Sequence, residues 1–316
     1  MNSKDSQEDF FRTLSLRFNK CLEPTMSCER KAIRAHSIQN ANVFDLIHTN
    51  GHVVMPHFYV KDKRPIVELR SKGRNRASTF TGMCKEHDTE LFKTLDTQPF
   101  DKANLEQLFQ LAYRAVTREL HAVMQGALQI QTGYLERVKR GLDPKEEPSA
   151  AGIFATGHLM KAYETWKYRY EYFDKNYIIG NWEGIDHDII LLEQQPAVIA
   201  VASLFSLPNV VRDDDFARCV LNVFPISTDN TVVVFSYASA ESKQARKFLK
   251  PILSSKGRYQ RYLISKLVIS RIENFALSPR HVENWSPEKT EKITSAFIKT
   301  IFSEEKIKDD LNLQLF

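Results

Sequence analysis

The chain has 316 residues, of which 42% are hydrophobic and 26% charged, and carries a net charge of +5. That is the composition of an ordinary globular protein, long enough for two domains, and it argues against a disordered or fibrous chain. Apolar runs such as 197–205 and 231–237 are too short to span a bilayer, residues 1–9 lack an apolar signal core, and four cysteines do not make a disulfide framework, so a cytoplasmic protein without membrane contact is expected.

Phe10, Phe11, Leu14, Leu16 and Phe18 cluster among polar residues, which predicts a helical lead-in over residues 1–20. Residues 21–98 form a candidate metal module, with an apolar patch at 43–47 and a short strand at 51–60. Asn104 to Lys139 is a long helical pattern: Leu105, Leu108, Leu111, Ala115 and Leu120 recur at helical spacing, and Gly141-Leu-Asp-Pro ends it. Lys145-Glu-Glu-Pro-Ser-Ala reads as a turn or linker, and a second helix is predicted over 152–173. From Tyr177 the period changes. Stretches 177–182, 188–192, 197–205, 220–224 and 231–236 are apolar or β-branched and separated by Gly, Pro, Asn and Asp, hence strands of one antiparallel sheet. Helices return near 240–253, 257–274 and 287–302, the last opened by Ser286-Pro287-Glu288, with Ser as cap and Pro in the first turn. The expected fold class is α+β: a small zinc-binding module, a helical hairpin, then an antiparallel sheet packed by C-terminal helices. The corresponding domains are 1–98, 99–175 and 176–316.

Cys84-Lys-Glu-His87-Asp88 supplies half of a metal site, and Cys28 with His36 supplies the other half. Two thiolates and two imidazoles suit a structural zinc ion in tetrahedral coordination. On a helix, Cys84 and His87 share one face, and Gly82 suits a tight turn before it. The expected ligands are Cys28, His36, Cys84 and His87, with Cys21 as a reserve for Cys28. Cys219, in an apolar run, reads as a core residue.

Between those halves lies a basic stretch, Lys61, Lys63, Arg64, Arg70, Lys72, Arg74 and Arg76 against only Asp62 and Glu68. Read as an exposed loop or hairpin, it would attract the phosphates of a nucleic acid or an acidic partner protein. Elsewhere, Trp182-Glu-Gly-Ile-Asp186-His187-Asp188 gathers acids around one histidine, either for metal or acid–base chemistry or as a strand-entry loop. Tyr163, Trp166, Tyr168, Tyr170 and Tyr172 form an aromatic stretch read as core and interface packing. Asp213-Asp214-Asp215 reads as a solvated turn.

Ala35-His36-Ser-Ile, Asn50-Gly51-His-Val-Val and His87-Asp-Thr-Glu-Leu91-Phe92 resemble the pattern of HNH-type endonuclease modules over about residues 28–95. The resemblance implies a ββα, treble-clef-like metal module. It further implies His36 as the base that deprotonates water, Asn50 (or Asn40) as the residue orienting it, and His87 as a ligand to Mg²⁺ or Mn²⁺. That nuclease reading competes with a closed zinc site for the same histidines. Three functions follow as expectations: a zinc-stabilised nucleic-acid- or partner-binding protein serving in bacterial defence against foreign DNA, including antiviral defence; a divalent-metal endonuclease; and a structural subunit of a multiprotein complex, with homo-oligomers allowed.

Overall fold

The computed structural model describes residues 16–61, 64–143, 149–212, 215–303, 307 and 309–316. Residues 1–15 of the expected lead-in helix, the linker residues 145–148 and Asp213-Asp214 lie outside the described residues. The strands are β1 (Ile33–His36), β2 (His52–Lys61), β3 (Arg64–Gly73), β4 (Thr79–Met83), β5 (Ile185–Leu192), β6 (Ile199–Arg212), β7 (Asp215–Pro225), β8 (Thr231–Ala238) and β9 (Phe275–Leu277). The longer helices are α1 (Lys85–Leu91), α2 (Leu105–Lys139), α3 (Ala150–Arg169), α4 (Ser242–Leu253), α5 (Gly257–Arg271) and α6 (Pro287–Ser303). The architecture is mixed α+β, with antiparallel pairing throughout the larger sheet.

Two compact units interleave in sequence. The first comprises Met1–Ala35, Phe80–Leu91 and Val116–Asn181, and the second His36–Thr79, Phe92–Ala115 and Trp182–Phe316. The expected segment 1–98 therefore contributes to both.

In the first unit β1 pairs with β4, and α1 follows directly. The body of α2 lies beside α3, where Gln131 Nε2 donates to the Ala155 carbonyl at 3.0 Å. Ser149 caps α3 by accepting from the Gly152 amide at 3.0 Å, satisfying one of the four donors left open at a helix start. The helix does not stop near 173 but runs through a wide π turn, Tyr170–Asp174, and on to Ile179. Gly180 ends it at φ +68°, a left-handed cap that glycine adopts without penalty. This corrects the strand expected at 177–182: two β-branched residues are too few to overturn a helix already propagating into them. The π turn brings Arg169 and Asp174, five residues apart, into an ion pair at 3.0 Å with both side chains fully buried.

The second unit is built on a seven-stranded sheet of order β3-β2-β9-β6-β7-β8-β5. Helices α4, α5 and α6 cover one face, packing on Leu221, Val223, Phe235 and Tyr237. Leu108, at the start of α2, packs on the other face against Val232 and Val234. Every residue of β8 is consequently buried, which is why Thr-Val-Val-Val-Phe-Ser-Tyr-Ala reads as a continuous run rather than an alternation. Cys219 is fully buried in the helix-covered face.

The basic stretch takes its hairpin form rather than that of a flexible loop. β3 pairs with β2 over its whole length, from His52↔Gly73 to Lys61↔Arg64, and is the edge strand of the sheet. Charged side chains on an edge strand also block edge-to-edge pairing with other chains.

The acidic cluster around His187 lies on and beside β5, and the carboxylates of Asp186 and Asp188 are engaged. Asp186 accepts from Ser239 (2.7 Å) and Ser242, and Asp188 accepts from Tyr237, whose hydroxyl accepts from Arg246 at 3.0 Å. His187 Nδ1 meets Ser236 Oγ at 2.9 Å. Burial holds the His187 imidazole down at about 4, against the upward pull of the Asp186 and Asp188 carboxylates. In an unfolded chain the same group titrates near 6.5, so on acidification the unfolded state takes the proton first. Stability present above the unfolded value is therefore lost as pH falls through about 4, by on the order of 3 kcal/mol. His187→Gln is expected to flatten the stability profile between pH 7 and pH 4 by that amount, as measured by urea unfolding. A variant profile parallel to wild type throughout would remove His187 as the cause.

Candidate metal centre

The first unit gathers Cys21, Cys28, Cys84 and His87 so that their ligand atoms lie within 4.8 Å of one another. Two chain segments supply them, and each is shaped by local chemistry. On the N-terminal side, an antiparallel bridge between Lys20 and Lys31 closes a loop. Inside it Glu23, 5% exposed, accepts hydrogen bonds from the amides of Thr25 (2.8 Å), Ser27 (2.6 Å) and Cys28 (3.1 Å) and from the Thr25 hydroxyl (2.7 Å). Burial would raise the Glu23 carboxyl, but these hydrogen bonds together outweigh it and hold the group at about 2. One carboxylate thus curls the chain so that Cys28 returns towards Cys21.

The second segment is the end of β4 and the start of α1. The Leu22 amide donates to the Gly82 carbonyl at 2.7 Å, and the Cys84 amide donates to Cys21 Sγ at 3.3 Å, so the two segments are stitched through the backbone. Gly82 is not the turn residue expected but lies inside β4. A Cβ there would come within 2.9 Å of the Phe80 ring and 3.3 Å of Leu22, so glycine permits the close approach of the Cys21 loop. The Asp88 amide bonds the Cys84 carbonyl at 2.9 Å, closing the first helical turn and setting Cys84 and His87 on one face.

His87 Nδ1 lies 3.5 Å from Cys21 Sγ and 3.4 Å from Cys84 Sγ. A tetrahedral ion with bonds of about 2.3 Å to sulfur and about 2.0 Å to nitrogen separates such atoms by about 3.5 Å. These two separations are those that a single ion of zinc-like size would set, and Cys28 lies within 4.8 Å of the same atoms. Cys21 and Cys84 are buried, and Cys28 and His87 half-buried. Burial pushes the Cys21 thiol up to about 12, and the neighbouring Cys84 side chain adds to the rise. A bound dication reverses that balance, because it replaces the missing solvation of both sulfurs.

The loop is also held by the buried ion pair. Arg169 Nη2 donates to the carbonyls of Leu22 (2.7 Å) and Glu23 (3.4 Å) while Nε contacts Asp174. Removing one charge of a fully buried ion pair costs about 3–5 kcal/mol. The guanidinium is therefore part of what positions the loop that carries Cys21 and Cys28, in the way that outer hydrogen bonds position metal-binding side chains generally.

Of the expected ligands, Cys28, Cys84 and His87 lie in this group and His36 does not. His36 ends β1, belongs to the second unit, and sets its ring Nε2 3.2 Å from the Arg74 carbonyl oxygen. Burial lowers its pKa, with the Arg74 carbonyl pulling upward and the Arg114 charge lowering it further. Cys21 takes the fourth corner instead. Its signal was available in the sequence: sulfur is the softer ligand, and Cys21 and Cys28 lie within one short loop, whereas a strand carries His36 away. Asn50, exposed at φ +51°, forms a left-handed turn with Gly51 leading into β2, and Asn40 donates to Asn75 at 3.0 Å, so the His36 ring meets the Arg74 carbonyl rather than either asparagine. Among the basic residues, Arg70 pairs with Glu68 at 2.8 Å and lies over the Tyr59 ring, Arg74 pairs with Asp45, and Lys72 and Arg76 are exposed. The side chains of Lys61, Lys63 and Arg64 lie outside the described residues.

No protein-family model matches the chain, and no curated protein or solved structure matches it. The arrangement therefore rests on its own geometry. Among the described residues no helix is long and apolar enough to cross a membrane.

Elemental analysis of the purified full chain should find about one tightly held metal ion per chain, as one four-donor set implies. Cys21→Ser should lose it, whereas His36→Ala should keep it. Retention in the first variant together with loss in the second would restore the ligand set read from sequence.

Proposed function

We propose that this chain is a zinc-stabilised nucleic-acid-binding protein whose metal is structural. The observation that carries the metal half is the donor set: three thiols and one imidazole in a four-membered group, which matches the composition of closed structural zinc sites. The loop at 21–28, the β1–β4 pair and the helix that follows Cys84 also suit the treble-clef-like module implied by the HNH resemblance.

For the binding half, the surface proposed is the β2–β3 hairpin of the second unit. Arg70 and Lys72 fall two residues apart on an extended strand, hence on the same face, and both are exposed, as is Arg76 in the following turn. Phosphate neutralisation by such a row releases counterions and makes affinity fall steeply with salt. Arg70 shares its charge with Glu68, which moderates but does not cancel the stripe.

The endonuclease reading ranks below this one. It needs His87 on a catalytic ion with an open position, and a structural zinc would occupy that imidazole. A Mg²⁺ or Mn²⁺ ion would also need oxygen ligands, and among the described residues the Cys/His group is the one cluster with metal-ligand spacing. A second reading, as a subunit of a protein assembly, is favoured by one observation. Ile153, Phe154, Met160 and Tyr163 on α3 and Ile178 and Ile179 beyond it are all exposed, more large apolar surface than one helical segment of a monomer usually presents.

Fluorescence anisotropy of the metal-loaded chain with duplex and single-stranded oligonucleotides tests the proposal. Reversing Arg70, Lys72 and Arg76 to Glu should weaken binding to every sequence and reduce the salt slope by about 3. Equal affinity and slope in wild type and variant would sink it. Plasmid nicking by wild type with Mg²⁺ or Mn²⁺ that vanishes in a folded His36→Ala variant would favour the nuclease instead. For the assembly reading, sedimentation velocity should show self-association of wild type that Phe154→Asp with Ile179→Asp abolishes. A monomer at all concentrations would exclude the homo-oligomeric form.

A further inference from the structure

The second unit contains a cavity of about 610 Å³ on the face of the sheet opposite α4, α5 and α6. It is lined by residues within 37–46, the segment 95–100, the first turns of α2 and strands β6 and β7, and opens to solvent on one side. Cavities of about 300–1,000 Å³ that combine apolar walls with a few placed polar groups are the usual form of small-molecule sites. Here Phe100 and Phe224 provide an aromatic wall, packed edge to face with centroids 5.1 Å apart, and Leu111 lies on α2 nearby.

The polar residue at issue is Asn222, in the middle of β7. It is 1% exposed, lines the cavity, and its amide nitrogen has no hydrogen-bond partner among the described residues. Its neighbours in register, Ala202 on β6 and Val234 on β8, carry no polar side-chain atom to meet it. A buried donor left unpaired destabilises a fold, and an apolar residue would serve packing better. Its presence in the apolar run Val-Leu-Asn-Val-Phe is explained if a ligand supplies the missing partner.

The electrostatics narrow the ligand. Arg114 is the one cation among the described residues lining the cavity. Its two terminal nitrogens are committed to the Asp96 carboxylate, Nη1 at 2.7 Å, and its guanidinium lies over Phe92 at 4.2 Å. Gln39 also donates to Asp96, and the lining Asp45 is paired with Arg74. No cationic charge is left over for a phosphate or carboxylate. The Arg114 Nε–H, however, is a second buried donor without a hydrogen-bond partner among the described residues.

We propose that this cavity binds an uncharged nucleoside, with adenine the base it recognises. A side-chain amide offers one donor and one acceptor side by side, which pairs bidentately with the N7 and N6 positions of adenine and mismatches the two acceptors of guanine. The aromatic wall accepts the flat face of the base. The proposal is independent of the metal centre and of the nucleic-acid reading, since it uses neither the Cys/His group nor the β2–β3 hairpin.

Isothermal titration calorimetry of the full, metal-loaded chain with adenosine, guanosine and adenosine 5′-monophosphate tests it. Adenosine should bind, and guanosine should bind about 10- to 100-fold more weakly through loss of the bidentate pair. The monophosphate should also be weaker, because its charge finds no free cation. Asn222→Leu should abolish adenosine binding while raising the melting temperature of the ligand-free protein, the opposite of what losing a structural residue does. Leu111→Trp, which fills the cavity from α2 without touching the sheet, should abolish binding as well. No adenosine binding by wild type at millimolar concentration would overturn the proposal. So would tighter binding of the monophosphate, or unchanged binding in a folded Leu111→Trp variant.

Discussion

Three thiols and an imidazole brought together inside the first unit are the constraint on which the rest of that unit depends. Two of the sulfurs are buried, and they stand beside each other and beside His87. Without a cation such a cluster has little to recommend it: a small, weakly polar group of donors occupying space that apolar side chains would fill better. With a dication at its centre, the same atoms become the strongest tie between two segments more than fifty residues apart. The details around the cluster suit that role. Glu23 curls the first loop, Gly82 lets it approach β4, and the Cys84 amide donates to Cys21 Sγ.

The Arg169–Asp174 pair extends the same logic one layer out. A buried ion pair is weak evidence of stability in itself, because desolvation offsets much of the attraction. Here the guanidinium also satisfies backbone carbonyls of the ligand loop, so the pair acts as a positioning device. The π turn at Tyr170–Asp174 supplies the geometry, placing residues five apart on one side where a regular α turn would bring residues three or four apart together.

In the second unit the constraint is burial on both faces of one sheet. Helices α4, α5 and α6 cover one side with side chains that interdigitate closely. The other side is covered more sparsely, by the start of α2 and the segments before it, and there the cavity remains. The asymmetry explains why alternate residues of β7 differ in kind. Cys219, Leu221 and Val223 are ordinary core residues, whereas Asn222 is a polar residue with an unpartnered amide nitrogen.

Much of this was legible from sequence. The helical periodicity of 104–139 fell on α2, the Ser286-Pro287 start fell on α6, and the β-branched runs after residue 185 fell on strands, because each signal depends only on neighbours a few residues away. The pairing of Cys84 with His87 was legible for the same reason, being one turn of helix. The sequence offered Cys21 as a softer donor near Cys28, but it could not show that this loop closes on Cys84, read the aromatic-rich end of α3 through to Ile179, or show that Asn222 lacks a partner among the described residues. Those outcomes turn on which distant backbone donates to which atom, on a carboxylate curling a loop and on what lies across a sheet. Contacts of that kind come into being only when chain segments far apart in order meet in space.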